Sequence, residues 1–464
     1  MKQFVRLFFV LFNIACQKQN KFLVQSSIVV CIIFVLLCGC RSKGKEASLS
    51  NSTTKKIDYS WLDSLPHKEG LYFTKKERLI YENADPDHLV LKRISVADST
   101  MVIAEADALG YGVSCFINDV IIVAHYARAC HWGCREKYTT GTSRVVVRRS
   151  SDYGNTWSNP YRLDVDIGGL PGKESAIGWG LAFCKVKDTV YLASARGLFY
   201  SYDQGKNWKL RKSGLRKGPK GNITTGIGNG KLHIGPRMFY STKAGFLLFG
   251  QPEAIQEGKL FVWNSVDYGK SWKQEIINTG NPVVTPVEPT AIQFEDNTLF
   301  FLSRNGKNGQ GSNPSQFLFH VNGSGDYEIQ YPKISNCKVT GHQDTHDVIY
   351  NPKTDQFEAT ISDRCYDHSD YSKMALTLWT IPKKDALLGK NVWKYIGDYF
   401  PPISYGSGAE GTHPGGSVID VKRNKQYLQV HRGKGHAISS SLYHLERTLN
   451  TDVLKEVLHK SAQQ

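Results

Sequence analysis

Arg144-Val-Val-Val-Arg-Arg-Ser-Ser-Asp-Tyr-Gly-Asn-Thr-Trp157 is the stretch whose reading decides the fold. Val145 and Val147 alternate with Arg144, Val146 and Arg148, the period of a β-strand. Ser150-x-Asp152-x-Gly154-x-Thr156-Trp157 then reads as a tight turn followed by the start of the next strand. The Asp carboxylate accepts hydrogen bonds from turn N–H groups, Gly takes φ > 0, and Trp packs against a neighbouring sheet. The pattern recurs as Ser201-Tyr-Asp203-Gln-Gly205-Lys-Asn-Trp208 and Ser265-Val-Asp267-Tyr-Gly269-Lys-Ser-Trp272, offsets of 51 and 64 residues. One copy is an ordinary hairpin signal; three copies are a repeat.

Outward from the three turns, the chain repeats one theme: a strand, a second strand that often ends in Arg, a third strand, a turn and a fourth strand. Units begin near Gly112, Ile177, Arg237, Glu288, Asp344 and Gly416. Unit four replaces the turn pattern by Asn322-Gly-Ser-Gly325, and unit five has a longer turn near residue 387. Unit six lacks a fourth strand, and Leu89–Val96 is expected to supply it, which removes an exposed sheet edge.

The eight-residue pattern is similar to the Asp-box, and the chain resembles the sialidase (neuraminidase) superfamily. That resemblance implies an all-β fold, a β-propeller, and the repeat count makes it six-bladed over residues 89–447. The box itself lies on outer turns and is expected to be structural.

The ends of the chain read differently. Phe4–Ile14 and Leu23–Leu37 are largely apolar, and the second run closes on Leu37-Cys38-Gly39-Cys40. This is similar to a bacterial lipoprotein signal over residues 1–39, with cleavage before Cys40 and lipid on its sulfur; a plain transmembrane anchor is the alternative. Residues 40–56 read as a polar tether, 57–88 as a packed lead-in, and 448–464 as a tail with a short amphipathic helix. The expected location is therefore a membrane-anchored lipoprotein, periplasmic or on the cell surface. Loss of Lys2, Arg6, Lys18 and Lys21 with the signal takes the net charge from +16 to +12. An exported basic protein points to acidic glycans as partners rather than nucleic acid. No metal or cofactor is expected, and a monomer is.

Beyond Cys40 six cysteines remain, 115, 130, 134, 184, 337 and 365. An oxidising compartment allows up to three disulfides among them, with Cys130 to Cys134 a local staple. A zinc site there is the weaker reading, since no second pair of ligands lies nearby.

Chemistry centres on arginine. Arg128, Arg196, Arg304, Arg364 and Arg432 end second strands, so equivalent units gather them at one rim. Guanidinium groups grip carboxylates through two parallel hydrogen bonds; the alternative is pairing with acidic loop residues. Glu288-Pro-Thr-Ala-Ile through Leu302-Ser-Arg304 resembles the sialidase segment with the catalytic Glu and the second triad arginine, and Arg364 resembles the third. The resemblance implies that Glu288 is the base for a nucleophilic Tyr, an exception to two-carboxylate glycosidase chemistry. Among cations Glu288 stays ionised, as a base must.

Three positions depart from the family. Gly110-Tyr-Gly-Val-Ser-Cys115 has no first triad arginine, the loop 129–143 offers Glu136 and His131 but no Asp, and His413-Pro-Gly-Gly-Ser417 stands where the Tyr belongs, with Tyr405 eight residues upstream. Glu136, Tyr405 and His413 are the candidates for the missing roles. His342, Asp344, His346 and Asp347 open unit five, His431 and His436 flank a loop of unit six, and Trp132 and Trp179 could stack on sugars. Asp344 with His346 is a minor metal alternative.

The expected activity is sialidase-like hydrolysis of a terminal acidic sugar. The alternatives are a glycan-binding propeller without catalysis and a uronate lyase using His, Tyr and Arg.

Overall fold

The computed structural model describes residues 72–73, 80–82, 92–94, 96–106, 108–128, 144–163, 180–194, 197–211, 216–217, 223–224, 233–251, 255–306, 313–337, 342–364, 373–404, 412–434 and 439–449. They form an all-β, propeller-like set of antiparallel sheets whose members follow one another along the chain. A first four-stranded sheet comprises Ala108–Ile117, Val120–Arg128, Arg144–Ser150 and Tyr161–Arg162. Next comes an eight-stranded sheet, made of Ala182–Val186 to Lys209–Leu210 and of His233–Ser241 to Lys273–Asn278. Its halves join through one parallel pairing, Phe183 opposite Arg237. The third sheet runs from Pro286–Val287 to Asp326–Ile334, the fourth from His342–Asn351 to Lys394–Ser404, and the fifth from Thr412–Pro414 to Ser439–Thr448. Among the described residues the one helix is Lys383–Leu387, inside the turn expected near 387.

Sheets stacked face to face bury both sides of their strands, which explains the unbroken apolar runs. Val145, Val146 and Val147 are all buried, where simple alternation would have exposed Val146. Val145 and Val147 face a core with Phe183 and Trp208, whereas Val146 faces one with Trp157, Tyr427 and Leu442. Trp157 is fully buried; removing about 150–250 Å² of aromatic surface from water stabilises by roughly 4–6 kcal/mol before entropy is counted.

The three copies of the repeated Ser-x-Asp-x-Gly box share one hydrogen-bond pattern. Ser150 Oγ donates to Asp152 Oδ1 (2.7 Å) and accepts from Gly154 N–H (2.7 Å). Asp152 also accepts from Thr156 N–H (2.9 Å) and Thr156 Oγ1 (2.5 Å). Asn207 and Ser271 make the corresponding bonds to Asp203 and Asp267. The backbone turns left-handed at two successive residues, Tyr153 and Gly154 (φ 61° and 84°), Gln204 and Gly205, Tyr268 and Gly269. Each box glycine lies against the preceding sheet unit: a Cβ on Gly205 would stand 2.9 Å from Ile122, and one on Gly269 would overlap Leu198. A Cβ on Gly154 would overlap His444, so the first box packs on the last sheet. Thr156–Trp157 is the next strand along the chain, but it pairs with Tyr72–Phe73 of the lead-in, and Tyr161–Arg162 is the fourth strand of the sheet.

The fifth sheet is completed by an early strand, but by Ser99–Ala106 rather than Leu89–Val96. Lys92–Ile94 instead pairs with Ile80–Glu82. Buried Met101 and Ile103 supply the apolar face the closure needs. Asp98 clasps the junction, accepting from Thr448 N–H (2.5 Å), Thr448 Oγ1 (2.6 Å) and Lys425 Nζ (2.9 Å).

The expectation of up to three disulfides is corrected. Cys115, Cys184 and Cys337 are buried free thiols, and burial pushes the Cys115 thiol up to about 12. They serve as small apolar residues of the core. Cys130, Cys134 and Cys365 lie outside the described residues.

Candidate active site

Innermost strands of several sheets converge on one axis, and their irregularities sit near the same end. Register with the second strand breaks between Gly110 and Val113, between Ile234 and Met238, and between Gln343 and His346. Approach there is close: Ser114 donates from N–H (3.0 Å) and Oγ (2.8 Å) to Gly416 O, and a Cβ on Gly415 would overlap the Gly112 carbonyl. Gly415 is therefore needed for packing at this point.

An ion-paired knot ties this axis. Arg237 Nη1 lies 2.5 Å from Asp347 Oδ1, and Arg237 Nη2 donates to Ser417 O at 2.8 Å. Asp347 in turn accepts from Ser417 N–H (3.0 Å) and Ser417 Oγ. Three sheets meet in these three residues. Sequence reasoning placed Arg237 and Ser417 only as strand residues; an arginine on an innermost strand was the available signal. Further out, buried Arg447 pairs with Glu358 and donates to Gln426 (2.8 Å), which also accepts from Tyr399.

In backbone register Arg128 pairs with Ala108, Arg304 with Val287, Arg364 with His342 and Arg432 with Thr412. Arg304 and Glu288 meet: both carboxylate oxygens lie 3.3 Å from Arg304 Nη1, with the two side chains about one-fifth exposed. This is longer than the roughly 2.7–2.9 Å of a tight charge-assisted bond. Glu288 sits at φ 47°, immediately before Pro289. A non-glycine residue held there costs on the order of 1–3 kcal/mol and persists only when its surroundings impose it. Thr290 imposes it, donating from N–H to Ser303 Oγ (3.1 Å), accepting at O from Leu302 N–H (3.0 Å), and reaching His346 O through its hydroxyl (3.1 Å).

The histidines lie deeper. His346 is buried on His342–Asn351, and Asp344 falls in that strand's register irregularity. His413 and His431 are buried cross-strand partners whose rings stack at 4.7 Å. Glu136, Tyr405, Arg196, Trp132 and Trp179 lie outside the described residues, and so does Cys40.

Neither a protein-family model nor a curated protein sequence matches the chain. Solved structures similar to it include sialidases. A mutant of Trypanosoma rangeli sialidase displaying trans-sialidase activity matches at 12% identity and TM-score 0.46, over 83% of this chain and 59% of that one. A mutant of the NanB sialidase from Streptococcus pneumoniae matches at 10% identity and TM-score 0.48, over 84% and 72%. The Hadza microbial sialidase Hz136 matches at 14% identity and TM-score 0.46, over 74% and 66%. The chain thus spans less than two-thirds of the first of these.

Proposed function

We propose that this protein is a sialidase-like exo-glycosidase that removes a terminal acidic sugar from glycans, built on a closed six-bladed ring in which the eight-stranded sheet counts as two blades. The observation that supports this reading is the pairing of Glu288 with Arg304, with Glu288 held in a costly backbone conformation. Arg304 and Arg364 take the sugar carboxylate. Glu288 accepts the proton of a tyrosine hydroxyl, Tyr405 being the candidate, as its oxygen bonds the anomeric carbon. The departing glycan oxygen takes a proton from Glu136 or His413, and water then cleaves the glycosyl–tyrosine bond. Export as a lipoprotein through Cys40 puts such an enzyme where glycans are met; mass spectrometry of the membrane fraction should find a lipid-modified N-terminal Cys40, and a mature chain starting elsewhere removes that part.

The test is substitution at the pair. Glu288→Gln keeps shape and removes proton acceptance, so turnover of a sialylated substrate should fall by about 10²–10⁴ with little change in affinity. Arg304→Ala should weaken binding of the acidic sugar by about 1.5–3 kcal/mol. Full turnover in Glu288→Gln sinks the hydrolase. A second reading, glycan binding without catalysis, is supported by the burial of His413 and His431, which are 7% and 1% exposed. It predicts no product from the wild type and an affinity loss in Arg304→Ala alone. A lyase would instead release an unsaturated, ultraviolet-absorbing product.

A further inference from the structure

A cavity of about 780 Å³ is lined by residues of Ala182–Val186, His233–Ser241 and Ala291–Glu295, with Arg237 of the ion-paired knot among them. Glu288 precedes Ala291–Glu295 and Arg304 lies near the end of Thr298–Asn305, whereas the cavity takes Ile292 and Gln293 further along and reaches one Ser-x-Asp-x-Gly turn through Tyr268. Its walls carry Lys185, Lys187, Tyr240, Thr242, Tyr268 and Gln293. The volume falls within the roughly 300–1,000 Å³ of small-ligand sites.

The lining has the character of a carbohydrate platform with cations. Tyr240 and Tyr268 stack at 5.8 Å with rings 13° apart, and their hydroxyls share a hydrogen bond of 3.2 Å. Tyr268 is 43% exposed, so ring surface faces solvent. An aromatic chain runs on from Tyr268 through Phe246, Tyr191 and Tyr200 to Tyr202, which is 61% exposed on the neighbouring box turn. Arg211 lies over Tyr200 at 4.8 Å and Lys209 over Tyr202 at 5.8 Å. Lys185 and Lys187 are exposed and have no ion-pair partner among the described residues. The carboxylate of Asp296 at the rim is engaged by Thr242 and Asn297, and Asp188 is the acidic neighbour of Lys187. Tyrosine faces take the apolar faces of sugar rings while lysine ammonium groups meet carboxylates as mobile point charges.

We infer that this cavity is a second glycan-binding site, which holds an internal stretch of an acidic oligosaccharide. The inference rests on the reading of the protein as one that acts on acidic glycans. Engagement at two separate points raises the effective concentration of chain ends at the Glu288–Arg304 pair.

The test uses the full chain, isothermal titration, and three probes: tetragalacturonate, an α2,8-linked sialic acid tetramer, and neutral maltotetraose. Lys185→Glu with Lys187→Glu, and separately Tyr268→Ala, should weaken the acidic probes at this site by about tenfold or more. Arg304→Ala should leave this site's binding intact, and maltotetraose should bind far more weakly than either acid. The double lysine variant changes exposed side chains only, so its unchanged melting temperature separates lost binding from lost fold. The inference is overturned if the acidic probes bind the lysine and tyrosine variants as they bind wild type, if neither acidic probe binds wild type, or if Arg304→Ala abolishes all binding. Failure of the hydrolase reading shows independently, as unchanged turnover in Glu288→Gln.

Discussion

Glu288 and Arg304 lie sixteen residues apart, across one irregular hairpin, and their meeting was legible because a hairpin needs little more than its two strands to bring its ends together. The left-handed backbone at Glu288 was not legible, since it is imposed by Thr290, Ser303 and His346 from two sheets. The burial of His413, His346 and His431 was likewise not legible. A histidine that the sequence did not single out makes a sharper prediction. His125 is buried, its Nδ1 lies 3.2 Å from Tyr126 O, and burial together with the Arg148 charge lowers its pKa to about 3. The unfolded chain therefore binds a proton near pH 6.5 that the folded one refuses until about pH 3. Its contribution is undiminished above pH 6.5 and is lost on acidification, by about 1.4 kcal/mol per pH unit down to pH 3. Denaturant titrations of wild type and His125→Gln between pH 7.5 and 4 should diverge in slope by that amount; parallel curves would mean that His125 is protonated in the folded protein.

At the scale of the element, the Ser-x-Asp-x-Gly turn was legible as a hydrogen-bonded turn because its donors and acceptors lie within eight residues. What it packs against could not be read, since Ile122, Leu198 and His444 belong to other units. Burial on both faces also hid strand ends from a period-two count, as at Val146. Two glycines separate backbone cost from packing cost. Gly269 has φ 82° and its added Cβ would overlap Leu198; Gly280 has φ 77° and nothing within 4 Å. Alanine at either position carries the left-handed penalty of about 1–2 kcal/mol. Gly269→Ala should lose a further 1–3 kcal/mol, roughly, from overpacking. Equal losses in chemical denaturation would show that the box does not press on its neighbour. The box carboxylates add an acid limit. Burial opposes the charge of Asp152, Asp203 and Asp267, but hydrogen bonds from the turn outweigh it and hold each pKa below the usual value. Their contribution is present above about pH 4 and is lost as pH falls through the lowered folded values.

For the molecule as a whole, the sequence showed that a strand from the start must complete the last sheet, because the final unit counted one short. It pointed to Leu89–Val96, whereas Ser99–Ala106 was chosen by a partner more than 300 residues away. Asp98 anchors the junction through Thr448 and Lys425. Asp98→Ala should cost about 1–3 kcal/mol, read as a lower melting temperature. Lys273→Ala, which removes a pair whose lysine is 71% exposed, should stay within about 0.5 kcal/mol of wild type. Equal effects would make the clasp ornamental. The same junction sets a timetable for biosynthesis. Asp98 and Thr448 are 350 residues apart, and at about 5–20 residues per second a ribosome needs roughly 20–70 s to deliver the second after the first. Throughout that interval the strand bearing Met101 and Ile103 has no partner to pair with, so the newborn chain presents a ready template for sticking to its neighbours until its own far end arrives.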